Sequence, residues 1–598
     1  MMPTSDLPDT TPPGATPPDG TTLPGEDGVL HSSRRSFLKA TGIAAAGFAV
    51  GGVAGGAAGA AIGSAVASDR DQTPVPLDPR REPGFDHVVV LMFENRSFDN
   101  VLGWLYTPET VPAGQTFNGL AMGEYSNTAP DGTVIDAHVY TGSTDEIMRQ
   151  PDPDPGEEYP HVNTQLFGVV DPSSNSNLHL HDVQAPFNAP KPGRRPDNSG
   201  FVRDYEINYT RLSEGTAPTT KELAVAMGGF SPAMLPVFST LARSFAVYDS
   251  WFCAVPSQTF CNRSFFHAGT SHGFVTNQGE GGYAKWLDAP ATPTIFNRLE
   301  EAGLSWRVYY DEAQLISFTG VLHAPVLEKY WKTNFRTMAQ YHRDVADGNL
   351  PAYAFIEPRM TFNHNDMHPP VGRLAGTEVD GVDIFNGAHS DVRAGDALLH
   401  EVYSSIRSSA TPSGSNANNT LFLVTFDEHG GTYDHVAPPD AVPPSKNDGA
   451  GEMGFTFDRL GCRVPAIAIS AYTQAGTVIN DVMHHSAVIR TLARLHGLSP
   501  LTDRDAGAND LFNLINRSTP RPASEWPDTH PAYTPPNPEA VPEPRDEDRA
   551  RPLSSPATGL LGLLVARYGE PGQPIPRSYG EAFDALTQHG QGLFGTTD

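Results

Sequence analysis

Hydrophobic positions fall into short unbroken runs rather than long stretches. "FDHVVVLMFEN" (85–95), "SWRVYY" (305–310), "AYAFIEP" (352–358), "TLFLVTF" (420–426) and "VPAIAIS" (464–470) are rich in β-branched and aromatic residues and read as buried strands. Between them, "PAMLPVFSTLARSF" (232–245) and "RAGDALLHEVYSSIRSS" (393–409) carry the spacing of amphipathic helices. Continuously apolar strands alternating with such helices predict an α/β chain, with a mainly parallel sheet covered on both faces. Three long inserts interrupt the alternation, at 107–200, 311–345 and 360–390. Loops of that length commonly carry function. From 517 to 556 the chain is rich in proline and charge, which predicts a linker or surface wrap. A short helical extension is expected over 557–598.

Before the first strand the pattern changes. "HSSRRSFLKATG" precedes a Gly/Ala-rich apolar segment from Ile43 to about Ala67. The pair Arg34-Arg35, then Phe37-Leu38-Lys39, then a weakly hydrophobic stretch ending in "AVA" resembles a twin-arginine export signal. Residues 1–67 are therefore expected to be a signal peptide that engages the twin-arginine export machinery. The catalytic domain would occupy 68–516 and be secreted or associated with the cell envelope. Because the apolar segment is long enough to span a bilayer, a retained anchor is the alternative.

Composition narrows the classes. Of 598 residues, 57 are Gly and 55 are Pro, which points to long structured loops between short elements. A formal net charge of -29 excludes a general basic surface for nucleic-acid phosphates. Three cysteines, Cys253, Cys261 and Cys462, are too few for a disulfide scaffold, and a Cys253 to Cys261 bridge stays open.

Ligands of an open α/β sheet bind beyond the carboxyl ends of its strands. Two of the predicted strands end in clustered oxygen donors, Glu94-Asn95 and Asp427-Glu428. Such donors suit Ca²⁺, Mg²⁺ or Mn²⁺, and Zn²⁺ or iron where histidine joins them. Either pair alone reads equally as a helix cap. In "AVPSQTFCNRSFFHAGTSHG" (254–273) a helix beginning near Thr259 would place Thr259 and Arg263 one turn apart on one face. By this stretch alone Thr259 reads as an N-cap; coordinated to a metal at the helix start, its hydroxyl would be activated as a nucleophile, and Arg263 or the helix terminus would stabilise an attacked phosphate. Proton transfer would fall to His181, His368, His429 or His435, preferred among 21 histidines only for the motifs they occupy.

Taken in order, "ENRSFDN" (94–100), "VPSQTFCNR" (255–263), "NDMHP" (365–369) and "FDEHGGTYDHV" (426–436) resemble the phosphoesterase family of bacterial phospholipases C, plant non-specific phospholipases C and related acid phosphatases. The resemblance spans roughly 85–500 and implies an alkaline-phosphatase-like three-layer α/β/α sandwich. It implies Thr259 as nucleophile and metal or phosphate contacts at Glu94, Asn95, Asp427 and Glu428. It also implies phosphate contact or leaving-group protonation by His368 and His181. Cys261 departs from the proline that commonly precedes Asn-Arg in the family, and "PSQ" departs in the loop ahead of Thr259. The roles of His429, Asp434 and His435 stay undivided at this level.

The expected activity is an exported phospholipase C type hydrolase, its phospholipid substrate implying contact with a membrane surface. The alternatives are a broad acid phosphatase acting on small soluble phosphoesters and a non-catalytic envelope binding protein. The cofactor is a divalent metal of open identity.

Overall fold

All five apolar runs lie in one sheet of a computed structural model. It describes residues 77–598 except 179–181, 214, 371–377, 380, 381, 384–390, 448, 533–543, 545, 597 and 598. The segment expected to be a signal peptide, including Arg34 and Arg35, and the candidate acid His181 therefore lie outside the described residues. The sheet strands are β1 (His87–Phe93), β2 (Ala246–Tyr248), β3 (Trp306–Tyr310), β4 (Phe335–Thr337), β5 (Tyr353–Ile356), β6 (Thr420–Phe426), β7 (Ala466–Ile469) and β8 (Thr477–Ile479). Their order is β8-β2-β7-β6-β1-β5-β3-β4. Only β7 runs against the others, pairing antiparallel with β6 and β2. The strands β2, β4 and β8, toward the sheet's two edges, are three residues each, too short to leave a pattern in the sequence.

Helices that position the site are α1 (Tyr159–Phe167), α2 (Phe201–Leu212), α3 (Pro236–Ser244), α4 (Thr259–Ala268), α5 (Ile295–Glu301), α6 (Met338–Ala346), α7 (Val392–Ser408), α8 (Ser486–His496) and α9 (Ser555–Tyr568). Alternation along the strands assigns them to two layers. Phe93 of β1 and Phe426 of β6 meet Phe238 of α3, and Tyr309 of β3 meets Tyr341 of α6. On the opposite face, Phe355 and Tyr353 of β5 meet Phe266 of α4 and Phe296 of α5. The result is the three-layer α/β/α order expected from the sequence. Asp396 of α7 ties one layer together by accepting the Val237 and Phe238 N–H groups at the start of α3, at 3.3 and 3.0 Å.

The insert 311–345 is mostly helical and contains edge strand β4, so it extends the sheet. Residues 517–532 lie along the α3–α7 layer, where Trp526 packs edge-on to Phe245 and stacks on Tyr403. Helix α9 passes Gly559 over Phe260, the neighbour of Thr259, and a Cβ at Gly559 would sit 2.7 Å from that ring. All three thiols are buried and free, Cys253 and Cys261 included. Among the described residues no helix is long and apolar enough to cross a membrane.

Candidate active site

The two central parallel strands set the first part of the site. Register pairs Phe93 with Phe426, so Glu94 and Asp427 emerge side by side at the carboxyl ends of β1 and β6. Asn95 then takes a left-handed backbone, φ 55°, and its N–H donates to Asp427 Oδ1 at 3.1 Å. A third acid at a strand's carboxyl end, Glu357 after β5, is occupied in capping a short helix, accepting the N–H groups of Phe318 and Thr319 at 3.0 and 2.7 Å.

Helix α4 supplies the second part. Gln258 is its N-cap and Thr259 its first residue, with Arg263 one turn on. Asn262 holds the preceding loop, donating to Ser257 O at 2.6 Å while accepting Val255 N–H at 3.0 Å. Thr259 Oγ1 donates to Glu94 Oε2 at 3.3 Å. The buried Arg263 guanidinium pairs with Glu94 Oε1 and sets its Nε 3.5 Å from Asp427 Oδ2. A threonine hydroxyl, a guanidinium and two carboxylates thus share one buried cluster.

The third part comes from the insert. Asp154 and Glu157 approach His368, whose Nε2 lies 3.9 Å from Asp154 Oδ2 and 3.8 Å from Glu157 Oε2. One ligand atom from each of the three lies within 4.8 Å of the others, and among the described residues no other three His, Cys, Asp or Glu side chains are gathered so closely. Glu94, Asp427 and Glu428 therefore do not reach ligand spacing as a threesome. Glu157 joins the parts, accepting from Asn95 Nδ2 at one oxygen and from Gln258 Nε2 at the other, the latter at 3.4 Å.

Two glycines let the pieces close. A Cβ at Gly430 would lie 2.1 Å from Asn95 O, and one at Gly431 would lie 2.3 Å from Gly156 O; both residues have positive φ. That turn separates the residues around it. Glu428 and His429 stay at the site, with His429 Nδ1 3.3 Å from Glu428 Oε2. Asp434 and His435 are carried to another cluster, where Arg463 donates to Asp434 Oδ1 at 2.9 Å and to Asp99 Oδ1 at 3.0 Å, and His435 Nδ1 meets Asp99 Oδ2 at 2.6 Å. Their contacts there are those of a packing network.

His429 is oriented from the insert. The Gln165 amide donates to Gly156 O at 2.6 Å and to Asp204 Oδ2 at 2.8 Å, which leaves Gln165 Oε1 to accept the His429 Nε2–H at 2.8 Å. Removing that amide strands several buried partners. Gln165→Ala is expected to cost about 1–3 kcal/mol, read as a lowered melting temperature, whereas loss of a surface glutamine would leave it unchanged.

Burial dominates the electrostatics of the cluster. Burial pushes Glu94 and Glu428 well above the usual carboxylate range; Arg263 opposes this at Glu94, and Glu157 adds to it at Glu428. Asp427 and Asp154 are raised too, mainly by burial. Burial opposes charge on His368, yet Asp154, Glu157 and Asp366 carry it up to about 10, while burial holds His429 down to about 3. Asn95 Oδ1, Asp154 Oδ1, Asp427 Oδ2, Glu428 Oε1, His368 Nε2 and His429 Nδ1 are buried without a hydrogen-bond partner. Orphaned donors of this kind, mostly carboxylate and amide oxygens, fit a divalent metal.

The structure thus brings together Thr259, Arg263, Glu94, Asn95, Asp427, Glu428 and His368, all expected from the sequence. It adds Asp154, Glu157, Gln165 and Gln258, which the sequence does not single out. The only trace of the first two is the run "DPDPGEEY" (152–159), which reads as solvated charge inside an insert.

The phosphoesterase family profile matches residues 85–499. Non-specific phospholipase C3 of Arabidopsis thaliana is 33% identical over 457 residues, covering 73% of this chain and 74% of that protein. Phospholipase C B of Mycobacterium tuberculosis is 23% identical over 479 residues, covering 73% and 78%. Among solved structures, a protein in the alkaline phosphatase superfamily from Vibrio parahaemolyticus aligns with 17% identity over 46% of this chain and 64% of that one, with a TM-score of 0.26.

Proposed function

The chain belongs to the phosphoesterase family and is a phosphoric ester hydrolase, and from that premise we propose that it cleaves phosphodiesters of phospholipid head groups after export by the twin-arginine route. The observation that carries the reading is the placement of Thr259 at the first turn of α4, its hydroxyl on Glu94 and its helix partner Arg263 between Glu94 and Asp427.

Thr259 Oγ1 forms the new bond to phosphorus, its proton passing to the Glu94 side of the site. The bond from phosphorus to the diacylglycerol oxygen breaks, and that oxygen takes a proton from a histidine, for which the family resemblance offers His181 and His368. Water then cleaves the threonine phosphodiester, releasing the phosphorylated head group and restoring the hydroxyl. Arg263 holds the carboxylates in place and adds positive charge beside the phosphate as negative charge develops. A divalent cation held by Glu94, Asn95, Asp427 and Glu428, with Thr259 beside it, would supply Lewis acidity toward the phosphoryl oxygens.

Hydrolysis of p-nitrophenyl phosphorylcholine beside p-nitrophenyl phosphate tests the reading, on protein chelated and then resupplied with metal. Preference for the choline diester is expected. Preference for the monoester would replace the phospholipase with a phosphatase, and no turnover of either would leave a binding protein.

A further inference from the structure

We infer that Asp154, Glu157 and His368 form a cation site of their own beside the Thr259 cluster, and that the imidazole makes it a site for Zn²⁺ or iron in preference to Ca²⁺ or Mg²⁺. The inference deepens the hydrolase reading and rests on it for the use made of the ion, though not for the binding.

The tautomer of His368 carries the argument. Its Nδ1 lies 2.5 Å from Pro369 O, and a carbonyl can only accept, so the Nδ1–H is committed there. Nε2 is the one remaining ring atom able to hold a cation. It has no hydrogen-bond partner, is buried, and faces Asp154 and Glu157 at 3.9 and 3.8 Å. A ring locked through one nitrogen by a backbone carbonyl, with the other aimed at carboxylates, is how proteins hold a metal-ligating histidine. The backbone fixes it further, since the His368 N–H donates to Asp366 Oδ1 at 3.0 Å, and that oxygen also meets His364 Nδ1 at 2.7 Å.

Charge and donor type agree. Two carboxylates balance the charge of one divalent ion, and His368 adds a nitrogen donor when the ion takes the place of the proton on Nε2. Asp154 keeps an unpartnered oxygen, and neither Asp154 nor Glu157 pairs with a lysine or arginine among the described residues. Hard all-oxygen sets favour Ca²⁺ and Mg²⁺, whereas an imidazole nitrogen shifts preference toward zinc and iron. The Glu94–Asp427 cluster differs, because its donors are all oxygens and Arg263 lies against two of them. Occupation of Nε2 by the ion also removes His368 as the leaving-group acid and leaves that role to His181.

The full chain, stripped with chelator, should take up Zn²⁺ more tightly than Ca²⁺ in a competition titration. His368→Gln should lose at least about 100-fold in Zn²⁺ affinity, while Thr259→Ala keeps it. Pulsed electron paramagnetic resonance of Mn²⁺-loaded protein should show imidazole nitrogen coupling in the wild type that His368→Gln lacks. Equal affinity for Ca²⁺, unchanged Zn²⁺ affinity in His368→Gln, or wild-type Mn²⁺ with no nitrogen coupling would each overturn the assignment. The last needs no variant to fold. Turnover of the choline diester without nitrogen coupling would sink this site and leave the hydrolase, and coupling without turnover would do the reverse.

Discussion

Thr259→Ala should abolish hydrolysis of the choline diester, lowering kcat by at least about 10⁴-fold, the scale seen when a hydroxyl nucleophile is removed from a site whose other groups remain. The physical case is local. Thr259 is buried at the start of α4, and its hydroxyl makes one long contact, with Glu94. Losing it removes a single weak hydrogen bond, so the melting temperature should barely move while turnover collapses. Thr259→Ser keeps the oxygen and should retain measurable activity. Quenching the wild type during turnover and weighing the intact protein should reveal an adduct with the mass of the phosphorylated head group, absent from Thr259→Ala. If Thr259→Ala turns over at wild-type rate, water attacks phosphorus directly and the helix start serves only to bind.

The proposed nucleophile is only partly legible locally. Pro256 ends the preceding segment, and Thr259 and Arg263 are spaced by one helical turn, but these two signals read equally as a helix cap, and it is the resemblance of the ordered motifs that singles out Thr259. The ends of β1 and β6 are readable locally, since an unbroken apolar run that stops at two oxygen donors leaves them at the sheet's carboxyl edge. Asp154 and Glu157 carry no such signal. Their run of prolines and acids has no periodicity, and it reaches the site only because Gly431 admits the backbone of Gly156 and Asn95 meets Glu157. Asp434 and His435 mislead in the opposite way, being close to Glu428 in sequence but carried by the turn at Gly430 and Gly431 to Arg463. Strand direction has no local signature either: β7 is as apolar as its parallel neighbours and runs against them.

Arg263→Met should damage stability as well as catalysis, and its pH dependence distinguishes this from lost packing. Arg263 is fully buried and is the cation that faces both Glu94 and Asp427. Methionine fills much of the volume but leaves two carboxylates out of water with no counter-charge, a loss of roughly 3–5 kcal/mol. Both carboxyls already have folded values above their unfolded ones, because burial outweighs Arg263. A carboxyl raised in this way binds its proton more tightly when folded, so its contribution to stability falls as pH climbs from the unfolded value toward the folded one. Without Arg263 the largest opposition to the burial effect is lost, the folded values rise further, and the falling window widens upward in pH. Thermal melts of metal-stripped protein should therefore show a larger deficit for Arg263→Met at pH 8 than at pH 5, where the carboxyls of the variant escape their charge by protonation. A deficit that is the same at both pH values would mean that Arg263 contributes packing alone. Arg263→Lys should recover part of the stability at pH 8 but little activity, because a single ammonium cannot reach Glu94 and Asp427 in the forked geometry that also leaves the Thr259 hydroxyl on Glu94.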